Sequence, residues 1–216
     1  MSTTSPIDPP TLAREFCHQC NWAFACWITH RRIFDDNPNK ETLDRNSPNF
    51  NEHLWRISQT YSYLQICKLH DQAKDRNSYN LSIKYIVDNL NWGDEEKDSI
   101  KQLADKLDKL YSRMMKPARN KVLAHNDLDT LLRGEPIGGF PEGLDKEYFQ
   151  WLQEFARRVH KQCDGGHYCF NDMNHVMDGA FEYLEVLENS DRANRSLNPP
   201  ASQSHPDRTA PRCPQA

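Results

Sequence analysis

Ile100, Leu103, Leu107, Leu110 and Met114 follow one another at intervals of three, four, three and four residues. This spacing holds one apolar seam on the same side of an α-helix for about four turns. A strand, whose side chains alternate between two faces, cannot reproduce it. Such a seam must be covered by other helices, so the segment demands a bundle.

Neighbouring segments supply the partners. Leu12, Phe16, Cys20, Phe24, Trp27 and Phe34 predict a first helix. Leu54, Ile57, Tyr61, Leu64 and Cys67 predict a second, ending near His70-Asp71. Ile83, Ile86, Val87 and Leu90 make a short third, with Asn80 or Ser82 as its cap. Asp94 is placed to cap the fourth helix, the one that carries the seam, with Glu95 and Glu96 in its first turn. Pro117 then kinks or ends it. Leu144, Tyr148, Trp151, Phe155 and Val159 mark a fifth helix. Met173, Val176 or Met177, Ala180, Phe181, Leu184 and Leu187 mark a sixth. The aromatics Trp27, Trp55, Tyr61, Trp151 and Phe155 fall on these stripes and are expected in the core. Residues 35–49, with Pro38 and Pro48, read as a polar loop, and 72–80 as a linker. The Gly/Pro segment 133–143 breaks the chain before the fifth helix. No useful length alternates with period two. The fold class is therefore all-α, a bundle of five to six helices forming one domain over 11–189. It is expected between a disordered tail at 1–10, which holds three prolines, and a Pro-rich disordered tail at 190–216, which holds five.

Composition narrows the setting. Mean hydropathy is −0.89, and no apolar run approaches the roughly 18 residues of a membrane helix. The start, MSTTSPIDPP, has neither a basic nor an apolar region and is not expected to be a signal peptide. Seven cysteines, an odd number scattered mostly through predicted helices, do not read as a disulfide framework. The expected compartment is the cytoplasm. Net charge is −4, which excludes a bulk polycation that coats nucleic acid. Within 101–121, however, seven cations stand against Asp105 and Asp108, an excess of five. Positive charge is concentrated on the seam helix and its end.

That end reads 116-KPARNKVLAHNDLD-129. Pro117 suits the first turn of a restarted helix, whose free N–H groups favour an anion near Arg119. Arg119 and His125 are six residues apart, about 120° apart on an ideal helix. They suit a groove lined by both residues, or two copies meeting across a dimer axis. RNA cleavage without a metal requires such groups. The 2′-hydroxyl attacks the neighbouring phosphorus, so its proton must be removed and the leaving 5′-oxygen protonated. Histidine carries protons near neutral pH, and arginine grips phosphate oxygens with a permanent charge.

The string 119-RNKVLAHND-127, behind a basic helix and with 70-HDQAKDRNSYNLSIKYI-86 upstream, resembles the HEPN superfamily and within it the AbiU-type abortive-infection branch. The likeness covers about 50–187 in helix order. It implies a metal-independent endoribonuclease, often dimeric, used in phage defence or a toxin–antitoxin system. Arg119 and His125 would then be catalytic and Asn120 the supporting polar residue. Arg113, Lys116 and Lys121 would hold flanking phosphates of RNA, tRNA among the candidate substrates, and affinity should fall steeply with salt. The resemblance implies no cofactor and no metal. The expected partners are RNA, a second copy of the chain, and an antitoxin or other regulator.

Other readings stand beside this one. Some HEPN proteins only bind, so the same groove suits a non-catalytic module for RNA, a nucleotide or a partner protein. Arg119 could pair with Asp127 or Asp129, leaving His125 satisfied by a carbonyl at a helix end. A third reading is a scaffold bundle whose C-terminal tail recruits a partner. Cys17 and Cys20 with Cys163, His167 and Cys169 are a loose zinc set, weaker than two C-x2-C pairs. Cys163 near His160 or His167 lacks an orienting partner for nucleophilic chemistry. His70-Asp71 suits a metal phosphohydrolase only if His53, His125 or Asp127 gathers beside it.

Overall fold

The computed structural model describes residues 8–119, 140–141, 143–166, 168 and 174–197. The fold is the expected all-α bundle. Helix α1 spans Pro9–His30 and continues into a π-helical turn, Arg31–Asp35. Then come α2 (Lys40–Arg45), α3 (Pro48–Leu69), a two-residue β-hairpin pairing Lys74–Asp75 with Ser78–Tyr79, α4 (Ile83–Asn89) and α5 (Asp94–Met114). A single turn, α6 (Lys116–Ala118), leads to Arg119. After the undescribed 120–139 come α7 (Leu144–Asp164) and α8 (Asn174–Leu197). No helix among the described residues is long and apolar enough to cross a membrane.

Local chemistry explains the boundaries. The Asp8 carboxylate accepts from the Thr11 amide at 3.0 Å and starts α1, with Pro9 and Pro10 in its first turn. Ser82, of the two expected caps, is the one used: its hydroxyl accepts from the Tyr85 amide at 3.3 Å. The cap of α5 is Gly93 rather than Asp94, which lies in the first turn with Glu95 and Glu96. Gly165, at φ 69°, ends α7 in the left-handed conformation that glycine adopts without steric cost. The expected loop 35–49 contains α2, and the expected linker 72–80 contains the hairpin. Helix begins at Pro9 and extends to Leu197, into both segments expected as tails; 1–7 and 198–216 lie outside the described residues.

Helix α1 packs on α7 and α3, and α5 on α7; α4 covers α5, and α8 leans on α1 and α2. Phe16 and Phe155 meet edge to face at 5.6 Å in the centre. Asp145, at the start of α7, is buried and accepts from Trp27 Nε1 at 3.2 Å and from the Arg31 guanidinium. The clamp ties the beginning of α7 to the end of α1.

Two stripes turn differently from expectation. On α5 the buried residues are Ile100, Leu103, Leu107 and Tyr111, followed by Met115 at its C-cap, while Leu110 and Met114 are only partly buried. A straight helix drifts past a 3.5-residue repeat, so the seam passes to the next residues. On α3, Ile57, Tyr61 and Leu64 are 52%, 43% and 40% exposed, and Phe50 is exposed as well. The face against α1 carries Tyr63, Ile66, Cys67 and Leu69, with Ser62 and Gln65 buried near them, while Asn51 is buried at the start of α3, donating to the Leu43 carbonyl at 2.8 Å. Tyr61 is thus not a core residue, whereas Trp27 and Phe155 are. The helix has apolar residues on two sides, and its periodicity does not say which side α1 covers.

Candidate functional site

Pro117 and the drift of the α5 seam together place Arg119. The α5 hydrogen bonds run out at Met115, whose amide binds the Tyr111 carbonyl at 2.8 Å. The chain then makes one more turn, and the Arg119 amide returns to the Met115 carbonyl at 2.9 Å. Asp108, Tyr111 and Met115 recur every three or four residues, on the side of α5 that meets the end of α3. Arg119, four residues further, reaches the same place.

There Arg119 Nη2 donates to Asp71 Oδ1 at 2.7 Å, across 48 positions of sequence. Both side chains are partly exposed, at 41% and 27%. One grip on a carboxylate leaves further guanidinium donors for a phosphate and fixes the plane in which they point. Asp127 and Asp129, the acids expected as alternatives, lie outside the described residues. So do His125, Asn120 and Lys121, whose positions relative to Arg119 remain expectations.

The residue before Asp71 anchors the arrangement. The His70 ring stacks on Tyr111 at 4.1 Å and 6° between planes. Its Nε2 lies 3.0 Å from the Tyr148 hydroxyl on α7, and its Nδ1 lies 3.6 Å from Asp108 Oδ1. One neutral tautomer suits both neighbours, with Nδ1–H toward Asp108 and Nε2 accepting from Tyr148. Burial pushes the His70 pKa down, against the attraction of Asp108 and Asp71. Asp108 is held below the usual carboxylate range by the His70 ring beside it. Burial raises the Tyr111 and Tyr148 hydroxyls, which stay protonated. His70 is therefore a neutral structural histidine that fastens the end of α3 to α5 and α7.

Stability should follow this histidine and His30, which burial also shifts downward beside Ser58 at 2.8 Å. In the unfolded chain both titrate near ~6.5. Below that pH the unfolded state binds protons that the native state refuses, so stability is full above ~6.5 and falls as pH drops toward the lowered native values. The expected slope is at most about 1.4 kcal/mol per pH unit per histidine. Urea unfolding between pH 7.5 and 5 measures it, and His70→Asn should flatten the curve.

The basic run on α5 is not one continuous surface. Lys106 stands 5.6 Å over the Trp151 ring, and Lys101 lines a cavity with Asp71, Asp88, Asp105 and Asp108. Arg113 and Lys116 are exposed, one turn apart, on the approach to Arg119. Among the described residues no three His, Cys, Asp or Glu side chains form a group able to hold a metal. Cys17 and Cys20 are core residues; the Cys17 thiol donates to the Ala156 carbonyl at 3.4 Å, and burial raises both thiols. His167 and Cys169 lie outside the described residues. His160 is 3.3 Å from Asp164 and its ring lies tilted against Tyr168 at 5.1 Å, and burial raises the Cys163 thiol as well.

Asp71 is the site residue that sequence reasoning missed in this role. Its adjacency to His70 was visible, but its contact with Arg119 depends on how α3 and α5 end against each other. No curated protein and no solved structure matches the chain. The HEPN_AbiU2 family model, described as AbiU2, matches residues 11–167, a span that runs from the first turn of α1 through α7 and includes the whole Arg119–His125 segment. The chain belongs to the HEPN_AbiU2 family.

Proposed function

We propose that this protein is a metal-independent endoribonuclease of HEPN type, acting in phage defence or a toxin–antitoxin system. The observation that carries the reading is Arg119, oriented by Asp71 at 2.7 Å at the broken end of α5, one residue before Asn120 and six before His125. Arg119 binds the scissile phosphate and stabilises the extra charge on phosphorus. His125 takes the proton of the 2′-hydroxyl or delivers one to the leaving 5′-oxygen. Asn120 positions the histidine or the phosphate. Arg113, Lys116 and Lys121 hold flanking phosphates. A second copy would supply the other proton carrier, and the exposed row Phe50, Ile57, Tyr61 and Leu64 on α3 supports self-association through an isologous contact.

Purified protein should cleave total RNA and tRNA in EDTA, leaving 2′,3′-cyclic phosphate and 5′-hydroxyl ends, because the 2′-oxygen is the nucleophile. End-labelling of the products reads both. Wild-type protein that retains RNA intact favours the second reading, a module that binds RNA, a nucleotide or a partner through the same groove. The partly exposed ion pair also permits that reading, since it holds an anion-binding group without requiring the histidine.

A further inference from the structure

Asp71 stands between two cavities of opposite character. One, about 330 Å³, is the cavity in which Asp88, Asp105 and Asp108 outnumber Lys84 and Lys101 even with Asp71 paired to Arg119. A phosphate chain is repelled there. The other, about 700 Å³, runs between α1, the C-terminal half of α3 and the hairpin. Its lining includes Gln19, Trp22, Gln65, Lys68, Tyr79 and Asn80, and Asp71, its acid, is neutralised by Arg119.

This second cleft holds the groups that recognise a nucleobase. Trp22 is 43% exposed and Tyr79 is 64% exposed, so both aromatics are accessible from the cleft they line. The Trp22 indole N–H is tied to the Tyr61 hydroxyl at 3.3 Å, which fixes its ring edge. Lys74 stands 5.6 Å over the Tyr79 ring and packs a cation against it. The hairpin turn that presents Tyr79 carries Arg76 at φ 51°, in the left-handed region, and the register sets Lys74 directly opposite Tyr79.

Gln65 is an independent observation. It is only 8% exposed, its Oε1 accepts from Lys68 Nζ at 3.4 Å, and its Nε2 has no acceptor. A buried amide donor without a partner is costly. The last torsion of the side chain is soft, so the amide can turn toward an acceptor on a ligand in the cleft. Base carbonyls and ring nitrogens are such acceptors.

We infer that this cleft is a nucleobase subsite for single-stranded RNA. It takes the base of a nucleotide next to the phosphate that Arg119 holds. The base stacks on Trp22 or Tyr79, its edge meets the Gln65, Gln19 and Asn80 amides, and Lys68 with Lys74 neutralises the backbone. Stacking tolerates any base, and the amides add preference. The identity of the neighbouring phosphate rests on the ribonuclease reading; base recognition itself needs no cleavage.

The experiment separates the two. Fluorescence anisotropy compares a short single-stranded oligonucleotide, blocked from cleavage by 2′-O-methyl groups, with an abasic strand of the same length. Wild-type protein should bind the base-bearing strand roughly tenfold more tightly. At least one of Trp22→Ala and Tyr79→Ala should lose most of that difference, with little change for the abasic strand. Both residues are exposed, so neither substitution should disturb the fold. Equal affinity for the two strands, binding of neither, or full discrimination in both variants overturns the subsite. A shift in oligomeric state of Trp22→Ala by sedimentation, with discrimination intact, assigns the face to a second copy and likewise overturns it. Base discrimination without cleavage of native RNA keeps the subsite and removes the ribonuclease. Cleavage without discrimination does the reverse.

Discussion

Arg119→Ala and His125→Ala should each lower RNA cleavage in EDTA by at least about a hundredfold. A positioned acid or base contributes roughly 10²–10⁴ in rate. Loss of one donor aimed at the developing charge on the reacting group costs roughly 10²–10³. Arg119 makes a partly exposed ion pair with Asp71 at 2.7 Å, and such pairs add only about 0–1 kcal/mol to stability. The arginine variant should therefore stay folded by circular dichroism while losing activity. Asp71→Asn keeps an acceptor but removes the charge that orients the guanidinium, and its activity should fall between wild type and Arg119→Ala. Undiminished cleavage by His125→Ala would remove the histidine from the chemistry and leave the arginine as a binding residue.

Asp145→Ala should cost on the order of 3–5 kcal/mol of stability, the usual consequence of removing one member of a buried ion pair. Asp145 is 3% exposed and holds both Trp27 Nε1, at 3.2 Å, and the Arg31 guanidinium. Without it Arg31 keeps, among the described residues, its ion pair with Asp36, on the more exposed side, and the indole N–H loses the Asp145 acceptor. Domains have about 5–15 kcal/mol in total, so the variant should lie near the edge of folding. Urea denaturation followed by tryptophan fluorescence measures the loss. The apolar double variant Arg31→Met with Asp145→Leu should recover much of it, because the desolvation of both charges disappears together. The effect should extend to activity, since α7 carries Tyr148, which holds His70 beside Asp71. An Asp145→Ala variant as stable as wild type would show that the clamp is replaceable by water.

Periodicity carried the helices because a 3.6-residue repeat is a local property. The α5 seam was visible from Ile100 to Leu107, about two turns, and its drift to Tyr111 and Met115 was not, since a list of apolar positions does not record a straight helix slipping past its partner. The α3 row Ile57, Tyr61 and Leu64 was read as core and is exposed, because burial is decided by which neighbour arrives. The hairpin at 74–79 had no alternating pattern to announce it: both strands are two residues long and wholly exposed.

The site divides the same way. Arg119, Asn120 and His125 were legible together because they lie within seven consecutive residues, and their order is a short-range matter of residue type and spacing. The sequence alone likewise determined the all-α class and the break at Pro117, where a missing N–H ends the hydrogen-bond ladder. Only the tertiary structure decided that Asp71 meets Arg119, that His70 is spent on Tyr111 and Tyr148, and that Trp22, Gln65 and Tyr79 line one cleft. These contacts join residues 48, 41 and 78 positions apart, and the cleft brings together Trp22 and Tyr79, 57 positions apart. Their geometry depends on the docking of whole helices, a sum over many weak packing contacts that no local pattern encodes.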